Sequence, residues 1–400
     1  MGAKLARRES WREQVSELTS FTALRERLLE AAIDRVGASD FGASDYETGF
    51  DVLLASLDAN PAASLCRADA IGELIVMALA GRLHAQAGWK ARPDVLTRPI
   101  SAPLMIAGIP RSGTTALHRL LSMDPQFQGL ERWLARTPMI RPPRQEWDSQ
   151  PAFLAALDEA AARDNNAPDA QKAHRIAAGE VDECLIAMSQ SFMSNWFGSQ
   201  MDVPDYDAWF LAQDETASYR RYGDILRLIG AQDDRPWLLK NPSHILGIEG
   251  LLAAFPDALV IQTHRHPSET IASLGNLLAN ILGAKEPEDR ARIARRNLDI
   301  YRIATERMSA LQDRQPDRVL NIDFREFLAR PMDVVRSIYH RFDLELGSEA
   351  EANMLAWVAD NPQDKHGAHT YTLKAGGLER DEVREAFAPY IERFGLEDAL

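Results

Sequence analysis

The residues that speak first are Gly108-Ile109-Pro110-Arg111-Ser112-Gly113-Thr114-Thr115, whose types and order suit a bound phosphate. Glycines let the backbone approach an anion closely, and successive N–H groups at a helix start form a positive nest. The hydroxyls of Ser112, Thr114 and Thr115 add donors, and Arg111 adds a permanent cation. The run is close to a Walker A loop, yet Thr114 stands where that loop has its lysine and the cation lies upstream at Arg111. Such an exchange suits a loop that cradles a single 5′-phosphate rather than a triphosphate with magnesium, and so disfavours ATP hydrolysis.

A loop of this kind needs a strand before it and a helix after it. Leu104-Met105-Ile106-Ala107 is a short apolar run that reads as a buried strand ending in Gly108. Thr114 and Thr115 open a helix with Leu117, Leu120 and Leu121 on one face, ending before Pro125. The same order recurs three times. Trp237-Leu238-Leu239 precedes a helix from Ile245 to Phe255, Leu259-Val260-Ile261 precedes one after Pro267, and Val319-Leu320-Asn321-Ile322 precedes one from Pro331 to Phe342. Strands alternating with helices predict an α/β fold, a P-loop-like parallel sheet flanked by helices and joined by right-handed crossovers. Ligands bind at the carboxyl ends of such strands, where the polar residues named here fall.

At 400 residues the chain has room for two to three domains at about 150 residues each. The expected division is a helical N-terminal region over 1–98, then a second domain over 99–400 with a largely helical insertion at about 150–230. Leu24, Leu28, Leu29 and Ile33 recur at helical spacing in the first region, with a polar break from Gly37 to Ser44. Pro138 to Pro151 reads as a loop. Phe192, Trp196, Phe197, Trp209 and Phe210 in the insertion either line an acceptor pocket or pack as core.

A net charge of −14 argues against a nucleic-acid binder but leaves room for a small basic pocket. Cys66 and Cys184 are far apart and in no metal-like spacing, so neither a disulfide framework nor a zinc site is expected, and a reduced, cytoplasmic setting fits. Ile71 to Leu83, the most apolar early stretch, is short and carries Glu73, so no transmembrane segment is expected. A homo-oligomer is admitted by these features.

The run Pro110-Arg111-Ser112-Gly113-Thr114-Thr115 resembles the 5′-phosphosulfate loop of the sulfotransferase superfamily, especially the branch of bacterial and tyrosylprotein sulfotransferases. The resemblance implies sulfuryl transfer from 3′-phosphoadenosine 5′-phosphosulfate (PAPS), without a metal, to a small-molecule, lipid, glycan or peptide acceptor through its hydroxyl or amine. Arg265, in Arg265-His266-Pro267, with Ser273 eight positions later resembles the family's 3′-phosphate element, and an arginine fork suits a dianionic phosphate. Lys240 resembles the family's strand-end lysine, which contacts the transferring group and the leaving oxygen. Cations there stabilise the charge that collects on the departing 5′-phosphate. The likeness runs from about Pro103 to Phe342 and continues through His369-Thr370-Tyr371 and Gly377-Leu378, with Lys365 and His366 as further cofactor contacts.

Three residues are eligible as the base that removes the acceptor proton. Cytosolic members carry a histidine two residues after the strand-end lysine; that place is Pro242 here, and the histidine stands at His244. Glu131 is placed like the glutamate of tyrosylprotein sulfotransferases, about twenty residues after the loop arginine. Glu183 resembles an acidic element of bacterial members and is equally suited to bind acceptor or pair with an arginine. Two rival readings stand beside this one. A P-loop kinase-like phosphotransferase should bring a Walker lysine and a magnesium-binding carboxylate, and a non-catalytic nucleotide-binding protein needs neither base nor leaving-group cation.

Overall fold

The computed structural model describes residues 20–166, 178–361 and 373–396. Lys365, His366, His369, Thr370 and Tyr371 lie outside the described residues. The chain forms two compact units. One comprises Met1–Arg98, Leu134–Pro142 and Leu185–Gln232, and the other comprises Pro99–Trp133, Pro143–Cys184 and Asp233–Leu400.

Among its described residues the first unit is built of helices, the longest being Ala68–Ala91. Its interior settles the role of the insertion aromatics. Phe192 and Phe197 are stacked with ring centroids 5.1 Å apart, Trp196 meets Phe197 edge-on, and Tyr206 stacks on Phe210. Phe192, Trp196, Phe197 and Phe210 are all buried, so they are core, while Trp209 is half-buried against the Tyr206 ring. Arg82 is also sealed inside, because its guanidinium donates to the carbonyls of Phe41, Ala43 and Gln190 and pairs with Asp45. A buried cation is tolerated only when it is so fully paired.

The second unit holds the sheet. Its strands are β1 (Leu104–Gly108), β2 (Leu238–Lys240), β3 (Leu259–His264) and β4 (Val319–Asp323), all parallel, in the order β2-β1-β3-β4. Every residue of β1 is buried, as expected for a central strand covered on both faces. Leu117, Leu120 and Leu121 of helix α1 (Thr114–Leu121) pack with Leu104, Ile106, Leu238, Ile261 and Ile322 of the strands and with Val335 and Ile338. Each such side chain stabilises the unit by about 1.5–3 kcal/mol when fully buried. The third expected strand–helix pair differs in detail: a helix Phe324–Ala329 intervenes between β4 and the helix Pro331–Arg341. Asp323 caps it, accepting from the Arg325 N–H at 2.8 Å.

This strand order matters for function. From β1 the chain moves to one side for β2, then crosses to the other side of β1 for β3. The order therefore reverses at β1, and its carboxyl end is the topological switch point at which open α/β sheets bind ligands. That end is Gly108, where the phosphate loop begins.

Candidate active site

The loop's backbone requires its glycines. Gly108 (φ +150°) faces the Thr263 carbonyl so closely that a Cβ would lie 2.6 Å from it, and Gly113 (φ +93°) would press a Cβ into the Phe324 ring. Arg111 also adopts a positive φ of 76°, an uncommon state for a residue with a side chain. Leu117 donates the first helical bond, to Gly113 at 3.1 Å, which leaves the N–H groups of the helix start directed toward the loop.

The side chains around this loop fall into two groups. In the first, Arg111 Nε donates to Ser273 Oγ at 3.1 Å, and Arg265 Nη1 donates to the Arg111 carbonyl at 3.2 Å. Arg265 directly follows β3 and Ser273 lies inside helix α2 (Pro267–Leu282), so three residues from two parts of the chain meet. Pro267 at the helix start and His266, which accepts from the Ser268 N–H, set where α2 begins. The Arg265 guanidinium also lies over the Phe324 ring, 4.8 Å from its centroid, and pairs with Glu269.

In the second group, Lys240 at the end of β2 donates to Glu183 Oε1 at 2.6 Å and reaches Thr115 Oγ1 at 3.4 Å. Lys240 is 2% exposed and Glu183 23%. Backbone pairing explains why Glu183 arrives there: Cys184 N–H donates to the Lys240 carbonyl at 3.0 Å, and Asp182 N–H to the Leu130 carbonyl at 2.8 Å. Glu131 faces Val181 across the same antiparallel bridge. Beside them the buried Asp182 pairs with the half-buried Arg132 at 2.5 Å. Burial alone would raise the Asp182 carboxyl, but Arg132 and then Lys240 hold it below the usual carboxylate range.

Two named residues are turned away from ligand-facing positions. The Ser112 hydroxyl is spent in a buried bond to Thr263 Oγ1 at 2.6 Å, so Ser112 ties the loop to β3. His244 follows Lys240 in a short turn, Pro242–Ile245, and is 0% exposed; burial pushes its imidazole down to about 3. Thr114 is buried at the helix start, whereas Pro110 and Thr115 are half-buried.

Several neighbours escaped the sequence reading. Glu269 is four residues beyond Arg265, in the first turn of the helix that Arg265 precedes, so spacing alone could have found it. Phe324, Thr263, Asp182 and His118 carried no comparable signal. His118 is buried on α1, and burial followed by the charge of Lys240 pushes it down to about 3.

A glycine loop at the switch point of a parallel sheet, with an arginine pair on one side and a strand-end lysine on the other, is the arrangement of an α/β transferase with a P-loop-like fold. Residues 103–348 match the sulfotransferase family, and the chain belongs to it. The sulfotransferase STF1 of Mycobacterium tuberculosis is 33% identical, superposes with a TM-score of 0.82, and is matched over 91% of this chain and 98% of its own. STF9 of Mycobacterium avium is 27% identical with a TM-score of 0.83, over 93% and 97% of the two chains. The omega-hydroxy-beta-dihydromenaquinone-9 sulfotransferase Stf3 of Mycobacterium bovis is 22% identical over 308 residues, 74% of this chain and 75% of the relative. The protein is a sulfotransferase, and these matches disfavour the kinase-like and non-catalytic readings. Among the described residues no helix is long and apolar enough to cross a membrane, and no cluster of His, Cys, Asp and Glu is arranged to hold a metal ion.

Proposed function

We propose that the donor is PAPS and that the sulfuryl group passes to a hydroxyl of the acceptor. The observation that supports this best is the meeting of Arg111, Ser273 and Arg265 beside the glycine loop, which gathers two cations and a hydroxyl in one place. In this reading Pro110, Arg111, Gly113, Thr114 and Thr115 form the 5′-phosphosulfate cradle, Ser112 ties that loop to β3, and Arg265 with Ser273 takes the 3′-phosphate. Lys240 meets the sulfuryl group and the oxygen it leaves.

The acceptor oxygen forms a bond to sulfur as the bond from sulfur to the 5′-phosphate oxygen breaks, with its electron pair staying on the phosphate. Lys240 and Arg111 face that growing charge from a site in which the lysine is almost fully shielded from water, where each cation acts most strongly. The acceptor proton goes to a base. We assign it to Glu183, whose carboxylate touches Lys240 and keeps 23% exposure, so an acceptor can reach it. His244 is 0% exposed, so its imidazole is shut off from an acceptor that Glu183 can meet. Glu131, across the bridge from Val181, is the alternative carboxylate. The name of the Stf3 relative specifies an omega-hydroxylated dihydromenaquinone; hydroxyl-bearing lipids are therefore the acceptor class we place first.

The test is titration of wild type and Arg265→Ala with adenosine 3′,5′-bisphosphate and adenosine 5′-phosphate. Loss of a charge-assisted pair should weaken the bisphosphate by about 1.5–3 kcal/mol and leave the monophosphate almost unchanged. Equal weakening of both ligands defeats the assignment. Turnover with labelled donor should persist in a chelator, because Arg111 and Lys240 provide the positive field.

A further inference from the structure

We propose that Glu269 is a built-in competitor for the anion taken by Arg265, and thereby sets how tightly the site holds 3′-phosphorylated nucleotides. This rests on the reading of Arg265 as the 3′-phosphate ligand. Both Nε and Nη2 of Arg265 converge on one oxygen of Glu269, at 2.7 and 2.5 Å. Nη1 is committed to the Arg111 carbonyl, and the guanidinium face rests on Phe324. The edge that an arginine offers to an oxyanion, Nε with Nη2, is therefore the edge Glu269 occupies.

The competitor is easily displaced. Glu269 is 56% exposed and Arg265 30%, and ion pairs so open to water are weak. A dianionic phosphate presenting two oxygens to the fork outcompetes a single carboxylate oxygen. Glu269 sits in the first turn of α2, one helical turn from Arg265, so once released its carboxylate stays close to the bound phosphate and repels it. The same repulsion acts on the bisphosphate product, which carries the 3′-phosphate out unchanged. Glu269 therefore trades affinity for product release.

Glu269→Gln keeps the side chain's size and removes its charge. It should tighten adenosine 3′,5′-bisphosphate by about three- to ten-fold, leave adenosine 5′-phosphate unchanged, and deepen product inhibition in turnover. Glu306→Gln, which removes the charge of another exposed i,i+4 pair, with Arg302, controls for net charge and should alter neither ligand. In an Arg265→Ala background the effect of Glu269→Gln should shrink to simple repulsion, below the gain seen with Arg265 present. If Glu269→Gln tightens both nucleotides alike, or neither, while Arg265→Ala still loses the bisphosphate selectively, the competitor role is wrong and the 3′-phosphate assignment survives. If Arg265→Ala is itself unselective, the underlying reading fails and Glu269 has no phosphate to compete with.

Discussion

Glu183→Gln separates catalysis from architecture at the centre of the site. The substitution leaves an oxygen able to accept from Lys240 but removes the negative charge that compensates an ammonium only 2% exposed. Stripping a buried ion pair of one partner costs about 3–5 kcal/mol. The retained amide hydrogen bond and the partial exposure of Glu183 reduce this to about 1–3 kcal/mol. The double variant Glu183→Gln, Lys240→Met should regain part of that loss, because no uncompensated charge is then left buried. Urea unfolding of the three variants measures this half. The other half is kinetic: a missing general base lowers kcat by about 10²–10⁴-fold, while the affinity for adenosine 3′,5′-bisphosphate, measured by titration, stays near wild type. The two effects are independent, so each outcome is informative. A Glu183→Gln enzyme with reduced stability and kcat within a few-fold of wild type would refute the assignment, leaving Glu183 as the lysine's structural partner and Glu131 as the base to replace next.

The other expectations concern the loop and the sheet. Gly113→Ala forces a side chain into φ +93° and against the Phe324 ring, so it should weaken adenosine 3′,5′-bisphosphate at least about tenfold, and a normal titration curve would count against the loop's role. His118, His244 and His264 are pushed down to about 3, 3 and 4, burial being the largest cause in each, from an ordinary 6.5. Their folded values are depressed, so the unfolded chain binds more protons; the stability they contribute is full above about pH 6.5 and is lost as pH falls toward 4. The loss should approach about 4 kcal/mol per pH unit for three groups below that point. Urea midpoints that stay level from pH 7.5 to 5 would contradict their neutral burial.

Much of the fold is local, and so legible in the sequence. The apolar run Leu104 to Ala107 needs only its own side chains to demand burial on both faces, and it became the fully buried β1. Gly108 and Gly113 occupy backbone states that disfavour other residues, and Pro267 stands at the start of α2. Arg265 and Glu269 face each other because Arg265 stands just before the start of α2 and Glu269 in its first turn, four residues on. The alternation of strand and helix implied a parallel sheet, since a crossover is the connection that returns a strand in the same direction.

What the tertiary structure decided are choices between partners remote along the chain. Arg111 lies 162 residues from Ser273, Ser112 lies 151 from Thr263, and Glu183 lies 57 from Lys240. No periodicity links such pairs; they meet because β1 sits between β2 and β3, which brings the ends of three strands together. The same packing turned Ser112 inward, sealed His244, and kept Glu183 partly open, distinctions invisible in residue types. Phe192, Trp196, Phe197 and Phe210 became core for the same reason, because the burial of an aromatic ring depends on which surfaces surround it rather than on its neighbours in the chain.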